Sequence, residues 1–247
     1  VSLDWDWFMF TLDDINVKAV QEAFVRMHEK GIIYRATRLV NWCCALNTAL
    51  SDIEVDKEDL KEPKFLRVPI PNDPKIKDKE YEFGYFTNFI YKIKGSDWTI
   101  EVATTRLETM LGDVAVAVHP DDPWYQDLIG KELIHPFIPD RHMKIIADAE
   151  LVDMTLGTGA VKITPAHDFN DFKCGQRHNL PQINIFNDNG TINKNGGKYA
   201  EKFRFDAWVE MEQEMKELGL FVSKTPKEMV LGWCLKTGDI IEPAIKP

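Results

Sequence analysis

Two stretches of the chain bring hydroxyls, carboxylates and a cation close enough together to handle a polar substrate. The first is Thr104-Thr105-Arg106-Leu107-Glu108-Thr109, at the end of a segment that reads as a strand. The second runs from Gly157 to Asp171, Gly-Thr-Gly-Ala-Val-Lys-Ile-Thr-Pro-Ala-His-Asp-Phe-Asn-Asp. In an extended strand Lys162 and Thr164 fall on one face; Asp168 and Asp171, three apart, fall on one side of a helical turn. A strand-end cation beside two carboxylates can bind an ammonium and a hydroxyl together, with Lys162 keeping one carboxylate ionised. The same residues also allow a plain structural reading, in which Asp168 caps a helix and the charges form a surface ion pair.

Other chemistries find less support. The six histidines, His28, His119, His135, His142, His167 and His178, are scattered and none stands in a His-Glu-x-x-His pattern, so no metal site is expected. Gly157-x-Gly159 lacks the third glycine of a dinucleotide loop and precedes a strand. Neither Gly-x-Ser-x-Gly nor a phosphate loop is present. Cys43, Cys44, Cys174 and Cys234 form no Cys-x-x-Cys pair, which favours free thiols.

The elements that must position these residues can be read from periodicity. Val17, Val20, Phe24 and Met27 recur at helical spacing, with Asp14 or Asn16 as cap and Gly31 as stop. Leu39 to Cys44 leads into a short extended segment ending near Val55. From Asp56 to Lys79 charge and proline predict a linker or surface excursion. Phe83 to Lys94 and Trp98 to Thr104 flank Gly95-Ser96-Asp97 as a hairpin, and Asp113 to His119 and Gly159 to Thr164 read as core strands. A helix follows Asp168 or Asn170. Another runs from Asp206, with Trp208, Met211, Met215 and Leu218 on one face and Gly219 as its stop. Strand runs with late helices predict an α+β fold: a mixed, barrel-like β core with peripheral helices. The Trp-Cys pairs at Trp42-Cys43 and Trp233-Cys234 suggest a β-ribbon stem on either side of that core. The expected division is 1–55 for stem and host-derived helix, 56–228 for the core domain and 229–247 for the return ribbon.

The 247 residues carry 30 Lys+Arg against 40 Asp+Glu, a net charge of −10, with 44% hydrophobic residues. That balance is ordinary for a globular chain and argues against holding nucleic acid by bulk electrostatics. One run goes the other way: Lys194, Lys198, Lys202 and Arg204 outnumber Glu201. It reads first as a solvated loop, with phosphate contact as the second reading. No apolar stretch approaches a membrane span. The start, Val1-Ser2-Leu3, has neither a signal-peptide pattern nor an initiator Met and reads as cut from something longer.

Val102 to Asp113, followed by Ala115-Val116-Ala117-Val118-His119-Pro120, resembles the threonine-rich motif of class I aminoacyl-tRNA synthetase editing domains. Gly157 to Asp171 resembles their second motif. Both are most similar to the valyl enzymes: isoleucyl enzymes carry Trp where Glu108 stands, and leucyl enzymes carry an apolar residue at the position of Lys162. Leu39-Val40-Asn41-Trp42, Ser51-Asp52-Ile53-Glu54-Val55 and Gly238-Asp239-Ile240-Ile241-Glu242-Pro243 extend the resemblance over nearly the whole chain. Leu107 stands where the family usually has Pro, and Phe169 where some members do. The His-Ile-Gly-His and Lys-Met-Ser-Lys-Ser motifs of the adenylate-forming site are missing.

The resemblance implies an editing domain that hydrolyses threonine mischarged on tRNA(Val). An apolar pocket rejects an added hydroxyl only about a hundredfold, and valyl-tRNA synthetase against threonine is the standard example of that limit. It implies that Asp171 holds the substrate ammonium and that Thr104, Thr109 and Arg106 line the pocket around the ester and terminal adenosine. Lys162, Thr164 and Asp168 would read the side-chain hydroxyl, and Leu156 would contact the substrate. Water would attack the ester directly, with a ribose hydroxyl and backbone amides stabilising the oxyanion. Lys194, Lys198, Lys202 and Arg204 become candidate tRNA contacts. No cofactor is implied for editing; ATP serves the parent enzyme. Expected partners are the 3′ end of tRNA(Val) and the remainder of a cytoplasmic synthetase, with this chain monomeric. The alternatives are isoleucyl-type specificity and a catalytically silent tRNA-docking or linking module.

Overall fold

A computed structural model describes residues 4–69 and 78–247. The chain divides into two compact units, residues 1–38 with Pro247, and 39–246. In the first, a 3-10 turn (Trp5–Trp7) precedes helix α1 (Asp14–Glu29). Its N-cap is Asp13, one residue before the expected Asp14, with an extended backbone and no capping bond from its side chain. No residue of α1 is buried.

The larger unit contains strands β1 (Arg38–Cys43), β2 (Thr48–Leu50), β3 (Val55–Leu60), β4 (Lys64–Pro69), β5 (Asp78–Phe83), β6 (Tyr85–Ile93), β7 (Thr99–Thr104) and β8 (Ala115–Val118). After these come β9 (Glu132–Ile134), β10 (His142–Ala147), β11 (Ala160–Ile163), β12 (Phe221–Pro226), β13 (Met229–Cys234) and β14 (Glu242–Lys246). Helix α2 (Phe169–Arg177) follows β11, and α3 (Arg204–Glu217) precedes β12.

The core sheet runs β11-β8-β10-β9-β6-β12, with β7 on the other side of β6 and packed back towards β11. The sheet is therefore nearly closed and barrel-like. It is mixed, because β8 and β10 are parallel while its other neighbours are antiparallel. The α+β class with peripheral helices is the one the strand and helix patterns predicted. The Gly95 hairpin joins β6 to β7 as expected, with Gly95 at φ 74°, a conformation that costs glycine little.

Strand β8, Ala-Val-Ala-Val, is buried along its whole length because it has apolar layers on both sides. Val116 and Val118 point into the main core, and Ala115 and Ala117 pack with Ile163, Val152 and Cys174 of α2. The same alternation on β11 sends Ile163 towards α2 and Ala160 into the main core. Lys162 and Thr164 share the inner parity with Ala160. The sequence thereby places a lysine inside a barrel.

The expected linker from Asp56 to Lys79 is largely strand. β3 pairs with β13, and β4 pairs with β5. Charge hid an alternation in which Leu66 and Val68 are buried while Lys64, Phe65 and Arg67 are exposed; residues 70–77 of that stretch lie outside the described residues. The two Trp-Cys strands do not pair with each other. β1 lies between β14 and β2, and β13 lies against β3. Helix α3 begins at Arg204, two residues before the expected start, and Leu218 is exposed beyond its end.

Candidate functional site

The two chemical stretches meet at the end of the barrel. The first leaves β7 at Thr104 and turns through a 3-10 segment (Leu107–Gly112) in which every residue is buried. Leu107, where the family usually has Pro, is fully buried in the main core. Gly112 lets this segment lie on the second stretch: a Cβ there would sit 2.9 Å from Thr164 Cγ2 and 3.2 Å from the Ile183 carbonyl. The second stretch leaves β11 and enters α2, whose Asp168 N-cap accepts from the Asn170 and Asp171 amides through Oδ1, at 2.7 and 3.1 Å. The capping reading is therefore correct, and it leaves Oδ2 of Asp168 for other work.

Lys162 is buried, and its ammonium donates to Thr109 Oγ1 (2.8 Å), Asp113 Oδ1 (3.0 Å) and Thr164 Oγ1 (2.8 Å). Its three N–H groups are all engaged. Asp113, the last residue of the Val102–Asp113 motif, is the ion-pair partner of Lys162. Thr109 donates to the Arg106 carbonyl at 2.8 Å, and Thr104 Oγ1 accepts from the Arg106 amide at 3.0 Å.

Asp171 is buried and accepts from the Thr164 amide at 2.8 Å. Burial, then the neighbouring Asp168 charge, push its carboxyl up to about 7, and the pull of Lys162 does not offset them. The expectation that Lys162 keeps one of the two carboxylates ionised thus does not hold for Asp171. The ammonium sits on Asp113 instead.

Arg106 belongs to a second, adjoining cluster. Its guanidinium donates to Glu108 Oε1 (3.2 Å), the His167 carbonyl (3.0 Å) and Glu242 Oε2 (2.5 Å). Glu242 also accepts from Arg204 (2.9 Å) and pairs with His167 Nδ1 (3.2 Å). His167 Nε2 accepts from the Ile185 amide, so Nδ1 carries the proton and donates to Glu242. Burial alone would raise Glu242; Arg106, His167 and Arg204 outweigh it and bring its carboxyl down to about 2. Burial raises the Glu108 carboxyl, and its Oε2 has no hydrogen-bond partner. Periodicity offered no signal for Glu242, which lies 136 residues from Arg106.

A cleft of about 990 Å³ opens beside these clusters. Thr105, Arg106, Glu108, Asp168, Phe169 and Asn170 line one wall, and residues of β3, β13 and the β14 approach line the other. Lys162, Thr164 and Asp171 are each buried, and of this cluster only their neighbour Asp168 reaches the cleft lining. Leu156 is 65% exposed in the turn before β11 and does not line this cleft.

The candidate tRNA contacts fare differently. Arg204 is 1% exposed and held by Asp239, Glu242 and the Ile240 carbonyl, so it is a structural cation with no face for a phosphate. Lys198 pairs with Glu214, and Lys202 with Glu210. The surplus seen in sequence is neutralised by α3, which a linear count cannot show. Lys194 is exposed.

Asp148, Cys174 and His178 are the grouping of potential metal ligands among the described residues. Arg177 already donates twice to the Asp148 carboxylate, which also accepts from the Glu150 and Leu151 amides. The cluster therefore fastens the end of α2. All four cysteines are free and buried.

The chain belongs to the class I tRNA synthetases (I, L, M and V), whose family profile matches residues 1–225. Its relatives include the valine--tRNA ligase of Caenorhabditis elegans, 52% identical over 246 residues, with 100% of this chain and 23% of that protein covered. The valine--tRNA ligase of Homo sapiens is 51% identical over 248 residues, covering 100% of this chain and 19% of that protein. The chain thus spans about a fifth to a quarter of the length of the curated relatives it matches. Among solved structures, a leucyl-tRNA synthetase–tRNA complex from Agrobacterium radiobacter superposes over 94% of this chain and 34% of that one, with TM-score 0.43 and 16% identity.

Proposed function

We propose that this chain is the editing domain of a valyl-type synthetase, working in the cytoplasm on the 3′ end of tRNA(Val) carrying threonine. The observation that carries the reading is the convergence of Thr109, Lys162, Thr164, Asp168 and Asp171 at one end of the barrel, in a chain whose relatives are valine–tRNA ligases. Asp171, ionised, binds the substrate ammonium. Asp168 and Thr164 accept the hydrogen of the threonine hydroxyl, which valine lacks. An unmatched buried acceptor costs on the order of 1–3 kcal/mol, so valine is passed over.

The reaction needs no nucleophilic side chain. Water attacks the ester carbonyl, the acyl–oxygen bond breaks and the terminal ribose regains its hydroxyl. The protein's share is to hold the ester and its amine in register. Arg106, clamped by Glu108 and Glu242, shapes the wall against which the adenosine end lies. Strands β1 and β13, with their partners, serve as the stem to the parent enzyme, where ATP is used.

The test is to incubate the chain with threonyl-tRNA(Val) and valyl-tRNA(Val). The expected result is threonyl ester hydrolysis at least tenfold faster than valyl. Equal rates, or none on either, would remove the reading and leave a docking module.

A further inference from the structure

Asp113 sits between the 3-10 segment and β8, with no exposed surface. Its Oδ1 accepts from both Lys162 Nζ (3.0 Å) and Thr164 Oγ1, and its Oδ2 accepts from Tyr91 OH at 2.7 Å. Tyr91 is itself fully buried on β6, across the barrel interior. The carboxylate thus ties its own segment to β11 and β6, and each of the three groups that reach it donates.

Asp113 thereby sets the direction of the protons on Lys162 and Thr164. Thr164 has one hydroxyl hydrogen and gives it to Asp113, so its oxygen faces the remaining groups with lone pairs, one of which takes the Lys162 bond. Lys162 has three hydrogens and gives one to Asp113 and the others to Thr109 and Thr164. With Asp168 and Asp171 ionised, what the Lys162–Thr164 cluster leaves to meet a ligand is acceptors. A side chain that brings a hydrogen is matched; one that brings only methyl groups is not.

We propose that Asp113 is the positioning residue of this site: by holding Lys162 and orienting the Thr164 hydroxyl, it fixes the acceptor polarity that lets the site select an amino acid with a hydroxyl on its side chain. This rests on the editing reading given above. Asp113 touches no substrate and acts through Lys162 and Thr164.

The experiment uses the full chain with Asp113→Asn, Lys162→Met and the double variant, in which both charges are absent and neither is left unpaired. Two quantities are read: the ratio of threonyl to valyl ester hydrolysis, and the 1H–15N resonance of the Lys162 ammonium, which a triply bonded buried group keeps from exchanging. In the unmutated chain the resonance is visible. In Asp113→Asn it is lost and the ratio falls at least tenfold. Adding Asp113→Asn to Lys162→Met lowers the ratio by less than Asp113→Asn does alone, because one of the two residues it acts through is already gone.

A purely structural role would slow both esters alike and leave the ratio intact, and that result overturns the proposal. So does an ammonium resonance that persists in Asp113→Asn, or a ratio that is additive in the double variant. If the unmutated chain shows no preference for the threonyl ester, the editing reading falls and takes the selectivity role with it. The ammonium resonance still decides whether Asp113 holds Lys162.

Discussion

Asp171 is asked to do two things that oppose each other. Folding buries it beside Asp168 and raises its carboxyl to about 7, while binding an ammonium requires it ionised. In the unfolded chain it ionises near 3.8, so between about pH 4 and 7 the folded state keeps a proton that the unfolded state releases. Stability therefore falls as pH rises through that window, by at most about 4 kcal/mol for a shift of this size. We expect urea denaturation of the chain to show this fall between about pH 4 and 7, and the Asp171→Asn variant to lack it. Hydrolysis should run the other way: kcat/KM climbs through about pH 7 as Asp171 ionises, and Asp171→Asn abolishes turnover for every amino acid tested. A folded Asp171→Asn chain with near-normal turnover would end that assignment. Asp168 is different in kind. Asp168→Ala removes the cap and costs about 1 kcal/mol, whereas Asp168→Asn keeps it. Threonyl esterase activity that survives in the Asn variant at the unmutated rate would show that Asp168 does not read the hydroxyl.

The elements that hold the site are fastened from far along the chain. Glu242, entering the last strand, joins Arg106 of the first stretch, His167 of the second and Arg204 of α3. Glu242→Ala would leave the buried Arg204 and the half-buried Arg106 short of a counter-ion, a loss of about 3 kcal/mol measurable by thermal or urea unfolding. A loss under 1 kcal/mol would mean that Arg106 and Arg204 find other partners. Gly112→Ala should cut hydrolysis with a smaller cost in stability, because the added Cβ presses on Thr164; unchanged rates would show that the turn yields. These fastenings mark the limit of what the sequence discloses. Local rules found the Gly95 hairpin, the Asp168 cap and the shared strand face of Lys162 and Thr164, since each depends on neighbours in the chain. The two motifs came from resemblance. Asp113 as the partner of Lys162, Glu242 as the clasp and the burial of Arg204 depend on residues brought together across 35 to 136 positions, and no periodicity encodes them. The strands of 55–69 were hidden for another reason: exposed ribbon faces are polar, so they resemble a linker.

At the level of the whole molecule, the charge of −10 and the pairing of Lys198 and Lys202 with α3 set the interaction with RNA. The chain alone should bind tRNA weakly, with a salt dependence of at most one or two phosphate contacts. Lys202→Glu should change the dissociation constant less than twofold in a filter-binding titration; a tenfold loss would make the run a contact surface after all. Among the described residues no helix is long and apolar enough to cross a membrane. The four cysteines offer a separate handle on the molecule. Cys43 and Cys44 close β1, Cys174 lies in α2 and Cys234 ends β13, all buried, and burial lifts Cys44 and Cys174 to about 12. An aromatic disulfide reagent should therefore find no titratable sulfur in the native protein, and labelling proceeds only as fast as each region opens. Peptide mapping of the tagged sulfurs over time would rank the loosening of the ribbons against that of the helix beneath the site, with no probe introduced by mutation.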